Sequence, residues 1–202
     1  MERDEILKLH PIGIIRSPFH EADGTPIQPA YAAGVEGTVE IDEAFEMALA
    51  DIEGFERIWL IYWFHLAGEF RPLVVPYRDV RPRGLFATRS PSRPCGIGIS
   101  AVRLLGREGT LLRVADLDIV DDTPLLDIKP YVPAFDAHAG SRAGWLDESG
   151  EDRRAADKRF HGKDPRHAQE GGDNRPARTE VHDGGQGQGS FPDRGPDEGE
   201  RR

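Results

Sequence analysis

Residues 57–67, Arg-Ile-Trp-Leu-Ile-Tyr-Trp-Phe-His-Leu-Ala, are apolar on both alternating faces. Aromatic and β-branched side chains dominate the run, and they favour a pleated, packed surface over a helix. The pattern predicts a buried central strand, so the chain must supply neighbours for it. Those neighbours are legible. Residues 10–17 read as a first strand, with Pro11 near its start and Pro18 ending it. Residues 34–41 alternate Val35, Gly37, Val39 and Ile41 against Glu36, Thr38 and Glu40, the mark of a half-buried antiparallel strand. Residues 84–88 and 97–105 form two more. Gly106 and Gly109 flank a hairpin turn, and residues 111–117 return from it. Residues 125–131 are a last short strand ending at Pro130. One helix is expected over residues 43–52, from the Phe45, Ala48, Leu49, Ile52 spacing, with Asp42 as N-cap and Gly54 beyond its end. Many short strands, tight turns and a single short helix predict an all-β fold, a barrel or a sandwich with peripheral loops.

Hydrophobic residues make up 38% of the 202 residues, and the shortfall gathers at one end. Between residues 161 and 202 the only large apolar side chains are Val181 and Phe191. Such a segment cannot bury enough surface to offset chain entropy, so a disordered C-terminal tail is expected, with His161, His167 and His182 solvated. No apolar run reaches the roughly 18 residues of a membrane span. The start, Met1-Glu-Arg-Asp-Glu-Ile-Leu-Lys, lacks a secretory apolar segment, and Cys95 is the single cysteine. A soluble, cytoplasmic protein without disulfide or cysteine-held zinc is the expectation.

The net charge of −10 argues against a general nucleic-acid coat. Between residues 69 and 107, however, eight arginines (Arg71, Arg78, Arg81, Arg83, Arg89, Arg93, Arg103, Arg107) face only two acids, Glu69 and Asp79. A local basic field on an acidic body suits a specific polyanion contact, or a basic loop set against an acidic neighbour. Within that field lies Gly84-Leu-Phe-Ala-Thr-Arg89-Ser-Pro-Ser-Arg93-Pro-Cys95-Gly96-Ile-Gly98-Ile-Ser100. Pro91 and Pro94 stiffen a turn that carries two guanidiniums four residues apart, which suits anions or stacked nucleobases. Cys95 reads as a small buried residue, with a reactive thiol beside arginine as the alternative. His65, at the exit of the long strand, reads as a packed or capping residue. Asp116, Asp118, Asp121 and Asp122 crowd one segment, but calcium-hand spacing is missing. A carboxylate there suits a ribose hydroxyl or a cationic ligand. No glycine-rich phosphate loop or dinucleotide fingerprint occurs.

Several blocks together resemble one family, the TsaA-like (TrmO-type) β-barrel S-adenosylmethionine-dependent tRNA methyltransferases. They are Ile12-Gly-Ile-Ile-Arg-Ser-Pro18, Gln28-Pro29, residues 59–65, Gly84-Leu-Phe-Ala-Thr-Arg89-Ser with Arg93-Pro94 and Ile97-Gly98, Leu117-Asp-Ile-Val-Asp121 with Thr123-Pro124, and Asp127-Ile-Lys-Pro-Tyr131. Arg142-Ala-Gly-Trp-Leu146 and Lys158-Arg-Phe160 resemble the ending of the short members. The resemblance implies a small β-barrel domain over residues 8–146, a C-terminal segment over 147–160, and the tail after it. It implies a homodimer with S-adenosyl-L-methionine bound near the subunit contact. Pro29, Ala30, Tyr31, Leu66, Ala67, Arg89, Ile99, Ala115, Asp116, Leu117 and Asp118 are the implied cofactor contacts. Arg93 and Tyr131 are expected to bind substrate, and Asp118 and Lys129 to orient the reacting groups; no metal is expected. The implied reaction is N6-methylation of threonylcarbamoyladenosine beside the tRNA anticodon, with the anticodon stem-loop as partner. A smaller metabolite as substrate, or a non-catalytic donor-binding barrel, stays open. Two departures stand out. Cys95-Gly96 occupies the place where the family commonly has Asn-Pro, and where the longer members carry a second domain only the expected disordered tail is read here.

Overall fold

The computed structural model of the chain describes residues 8–160, and the expected disordered tail at 161–202 lies outside the described residues. Strands β1 (Gly13–Arg16), β2 (Glu36–Ile41), β3 (Arg57–Trp63), β6 (Ile97–Glu108), β7 (Leu111–Ala115) and β8 (Thr123–Pro130) close into an antiparallel barrel in the order β1-β2-β7-β6-β3-β8. Closure pairs Gly13 of β1 with Leu125 of β8, which removes free barrel edges. Two short strands, β4 (Leu73–Val74) and β5 (Arg83–Gly84), pair with each other outside the barrel. Among the described residues the fold is therefore all-β, as the strand count implied, with one short α-helix, α1 (Pro133–Asp136).

Inward residues of alternating strands fill the barrel. Ile15, Val39, Ile58, Leu60, Val102, Leu112, Val114 and Leu125 are all buried in one cluster. Burying side chains of this size contributes about 1.5–3 kcal/mol each, so the cluster dominates the fold's stability. β6 is bulged near Leu104 and β3 near Ile61, and such bulges bend strands as closure requires.

Three expectations are corrected. β3 is buried on one face only: Ile58, Leu60 and Tyr62 point inward, whereas Trp63 on the outer face is 50% exposed. A six-stranded barrel has one interior, so the second apolar face of β3 is left on the outside. Residues 43–52 form a 3-10 helix at Glu43–Leu49 and another at Ile52–Gly54, not an α-helix. Only Leu49 of the first is buried, and the Asp42 side chain caps nothing. The strand expected at 84–88 is instead a 3-10 turn, Leu85–Ala87, because Leu85 alone turns inward while Phe86 stands 78% exposed.

Residues 147–160 run back along the early loop. Ala156 N–H donates to Thr25 O at 2.7 Å, Gly24 N–H to Ala156 O at 3.0 Å and Ile27 N–H to Arg154 O at 2.9 Å. Phe160, 3% exposed, completes a second apolar cluster with Val74, Leu85 and Tyr77. The Tyr77 and Phe160 rings meet edge-on at 5.1 Å. These contacts hold residues 147–160 as a strap across the barrel's flank.

Candidate functional site

A cleft of about 730 Å³ opens where four segments converge on the barrel: the early loop, the exit of β3, the arginine turn and the run after β7. That volume lies within the range of small-molecule sites. Trp145 and Leu146, with Ala156 and Phe160 of the strap, add a further wall. Trp145 is held by its indole N–H donating to Ala87 O at 2.8 Å and by the Arg83 guanidinium over its ring.

The floor is built by close packing. Tyr62 sits beneath the cleft, its hydroxyl 3.2 Å from Ser100 Oγ and its ring edge-on to Phe64. Gly98 makes this possible, since a Cβ there would fall inside the Tyr62 ring's van der Waals surface and 2.9 Å from Phe64 Cζ. Burial, and then the nearby Asp118, push the Tyr62 phenol up, so it stays protonated. Asp118 borders the cleft with its Oδ1 sealed from solvent and without a hydrogen-bond partner. Burial raises its carboxyl to about 7, against the opposite pull of Ser100 and Arg89.

On the rim, Arg89 donates to Gln28 Oε1 at 2.6 Å. Arg93 donates to Thr88 O at 2.9 Å and lies over the Phe86 ring. These bonds pre-orient the guanidiniums and leave most of their donors for a ligand. The rest of the arginine field is largely occupied. Arg103 and Arg57 hold Asp116, Arg107 donates to Leu49 O, and Arg83 pairs with Asp79. Arg78 and Arg71 tie down the strap through Glu151 O and Arg159 O. The basic field seen in sequence is thus mainly internal scaffolding, and three of its arginines, Arg78, Arg89 and Arg93, line the cleft, Arg78 donating to the Tyr31 hydroxyl.

The residues named from sequence divide. Tyr31, Leu66, Ala67, Arg89, Arg93, Ile99 and Asp118 line the cleft together. Pro29 and Ala30 stand behind Tyr31 in the 3-10 turn Pro29–Tyr31. Ala115 and Leu117 are buried in the barrel wall. Asp116 turns away from the cleft with φ of 64°, its Oδ1 accepting from Gly34 N–H at 2.9 Å and its Oδ2 from Arg57 at 2.9 Å. Burial opposes that charge, but the Gly34 and Arg57 bonds prevail and hold the carboxyl below its usual range. Lys129 and Tyr131 do not line the cleft. Lys129 pairs in register with Trp59, and its ammonium lies 2.8 Å from Asp127, while the Tyr131 ring packs 5.4 Å from that of Trp59. Cys95 is exposed rather than buried. His65 lines the cleft. Sequence reasoning misses Tyr62, Phe64, Phe86 and Trp145 as cleft residues: the first two hide in an apolar run that reads as core, and Trp145 lies far along the chain, just before the strap.

The segments that converge here match the model of the tRNA-methyltransferase O N-terminal domain over residues 14–137. The chain belongs to the TrmO family. A probable S-adenosyl-L-methionine-binding protein of Pyrococcus abyssi is 54% identical over 139 residues, 69% of this chain and 76% of that one. A tRNA (adenine(37)-N6)-methyltransferase of Escherichia coli is 38% identical over 133 residues, 60% of this chain and 56% of the other. The crystal structure of TrmO from Pseudomonas aeruginosa superposes with a TM-score of 0.59 at 41% identity, covering 69% of this chain and 62% of that one. The chain therefore spans less than two thirds of the Escherichia coli and Pseudomonas aeruginosa TrmO-family proteins. Among the described residues, no helix is long and apolar enough to cross a membrane.

Proposed function

We propose that this chain is a cytoplasmic S-adenosylmethionine-dependent methyltransferase acting on the N6 nitrogen of adenosine beside the tRNA anticodon, with threonylcarbamoyladenosine as the favoured substrate. One observation carries the reading: a single cleft gathers Arg89, Arg93 and Asp118 among small and apolar walls, with the Asp118 Oδ1 sealed and unpartnered beneath its surface. That set fits the donor. The guanidinium of Arg89 suits its carboxylate, Leu66, Ala67 and Ile99 suit its adenine and methionine chain, and the lone oxygen of Asp118 suits a donor proton or a positive charge.

Held by Arg89, Leu66, Ala67, Ile99 and Asp118, the donor would supply a methyl group to the substrate nitrogen, whose proton would pass to the Asp118 carboxylate. The protein's share is placement. Holding two reactants in line is worth about 7–11 kcal/mol of the barrier, which leaves no need for a covalent intermediate. Arg93 fixes an anionic group of the substrate, such as the threonine carboxylate, and Phe86 and Trp145 offer aromatic faces to an extruded base.

The same reading takes the chain as a homodimer. Trp63 pairs with Ile97 and Ile61 with Ile99 across β3 and β6, and Trp63, Ile97 and Ile99 are 50%, 41% and 46% exposed. A second copy is the occupant that fits this stripe. Ile99 also lines the cleft, so the contact would adjoin it. Lys129 and Tyr131, outside their own cleft, are then assigned to substrate held between subunits.

The test is transfer of labelled methyl groups to tRNA carrying or lacking the threonylcarbamoyl group. Label on the carrying tRNA, with binding that weakens steeply as salt rises, is the expected result. Donor binding without any transfer to either tRNA would overturn the enzymatic reading in favour of a binding barrel. Salt-insensitive turnover of a small molecule would replace tRNA as the substrate.

A further inference from the structure

Asp118 lines the cleft, and beneath the cleft surface its Oδ1 is dry and unpartnered. It follows the buried Leu117 out of the barrel wall. Its Oδ1 has neither solvent nor a hydrogen-bond partner among the described residues, yet the side chain borders the cleft. The groups that face it come from three elements: Tyr62 of β3, Ser100 of β6 and Arg89 of the arginine turn. None completes it. Against the push of burial, Ser100 and the Asp118 backbone N–H favour the charged form, and Arg89 gives one donor to Gln28 Oε1 and none to Asp118, so Oδ1 stays unpartnered. Asp116, two residues earlier, shows what completion looks like: two arginines and a backbone N–H close around it.

A buried carboxyl in this condition responds to what enters beside it. A ribose hydroxyl would supply one hydrogen bond and no charge. A sulfonium would supply a positive charge beside a buried carboxyl, where screening is weaker and Coulomb attraction stronger than at the surface. The two differ in one respect that matters for a methyl-transfer site. The ribose is common to the donor and the demethylated product, whereas the sulfonium belongs to the donor alone.

We propose that Asp118 is the counter-charge to the donor's sulfonium, and that it makes the cleft hold the donor in preference to its neutral thioether product. The inference rests on reading the cleft as an S-adenosylmethionine site. Burial outweighs the pull of Arg89 and leaves the group partly protonated near neutrality when the cleft holds no ligand. Donor entry ionises it and expels a proton. After transfer the sulfur is neutral, the carboxylate has lost its counter-charge, and it takes a proton back as the substrate nitrogen gives one up. The ionised carboxylate is thereby not left alone in the site, and the product is held less tightly.

The experiment counts protons. S-adenosylmethionine and S-adenosylhomocysteine are each titrated into the full chain by calorimetry, in buffers of different ionisation enthalpy, from pH 6 to pH 8. Donor binding is expected to release close to one proton per site at pH 6, about half at pH 7 and little at pH 8, following the titration of a group near 7. Donor affinity should rise about tenfold over that range, and product affinity should stay flat. In Asp118→Asn, the proton release and the pH dependence should disappear, with donor preference over product falling at least fivefold. Equal proton release and parallel pH profiles for both ligands would overturn the proposal and leave a shared ribose contact. Donor binding without proton release would overturn it too. Both outcomes need only the unsubstituted chain. No heat with either ligand would overturn the reading of the cleft as well.

Discussion

Replacing Asp118 with asparagine keeps the side chain's shape and removes its proton equilibrium, which makes the cost of burying this carboxyl measurable without any ligand. An aspartate of ordinary pKa 3.8 when unfolded is raised to about 7 in the folded chain, chiefly by burial. Below pH 3.8 the group is protonated in both states and contributes nothing. Between that point and about pH 7, only the unfolded chain ionises it, so each pH unit removes about 1.4 kcal/mol of stability. Above 7 the loss is constant, and it amounts to about 4 kcal/mol over the whole interval. Other carboxyls titrate in both proteins alike and cancel in the difference. Urea denaturation of wild type and Asp118→Asn at several values between pH 4.5 and pH 8 should therefore diverge as pH rises, the variant gaining most of that amount by pH 7.5. Parallel curves with a constant offset would refute the reasoning, since they would show that Asp118 ionises as easily folded as unfolded.

Two further substitutions probe the cleft's construction. Gly98→Ala forces the Tyr62 ring off its seat, so a loss of about 1–3 kcal/mol in urea unfolding is expected, together with weaker S-adenosylmethionine binding by calorimetry; wild-type values for both would show that the ring has room to move. Phe160→Ala empties the second apolar cluster, and the strap should open while the barrel stays folded. Hydrogen exchange at the Ala156 amide, which bonds Thr25 O, should accelerate at least tenfold with barrel amides unchanged; unchanged protection at Ala156 would show that the strap does not depend on Phe160.

What could be read in the sequence tracks the range of the interactions involved. Period-two alternation marked β2 because Val39 and Ile41 face the core while Glu36 and Glu40 face outward. The same logic overreached at Leu85-Phe86-Ala87, where three apolar residues suggested a strand and only the first finds a buried place. Phe45 and Met47 likewise lie in the stretch read as a helix, yet Met47 is 88% exposed and no core is there to receive it. In the site, Arg89 and Arg93 were legible because a proline-braced turn presents them locally. The use made of the other arginines was not, since Arg103 meets Asp116 across thirteen positions and Arg71 meets Arg159 O across 88. Asp116 and Asp118 look equivalent in sequence. Only the left-handed turn at Asp116 separates them, sending one carboxyl to the arginines of the barrel wall and leaving the other at the cleft.

The strap also sets a schedule for synthesis. Every barrel strand is complete once Pro130 has emerged, but the side of the cleft formed by Trp145, Ala156 and Phe160 is made roughly thirty residues later. A ribosome-bound chain halted in that interval would carry a finished barrel with an open-sided cavity, and its grip on small molecules would begin only when the last turn, Lys158–Phe160, reaches the cluster around Leu85.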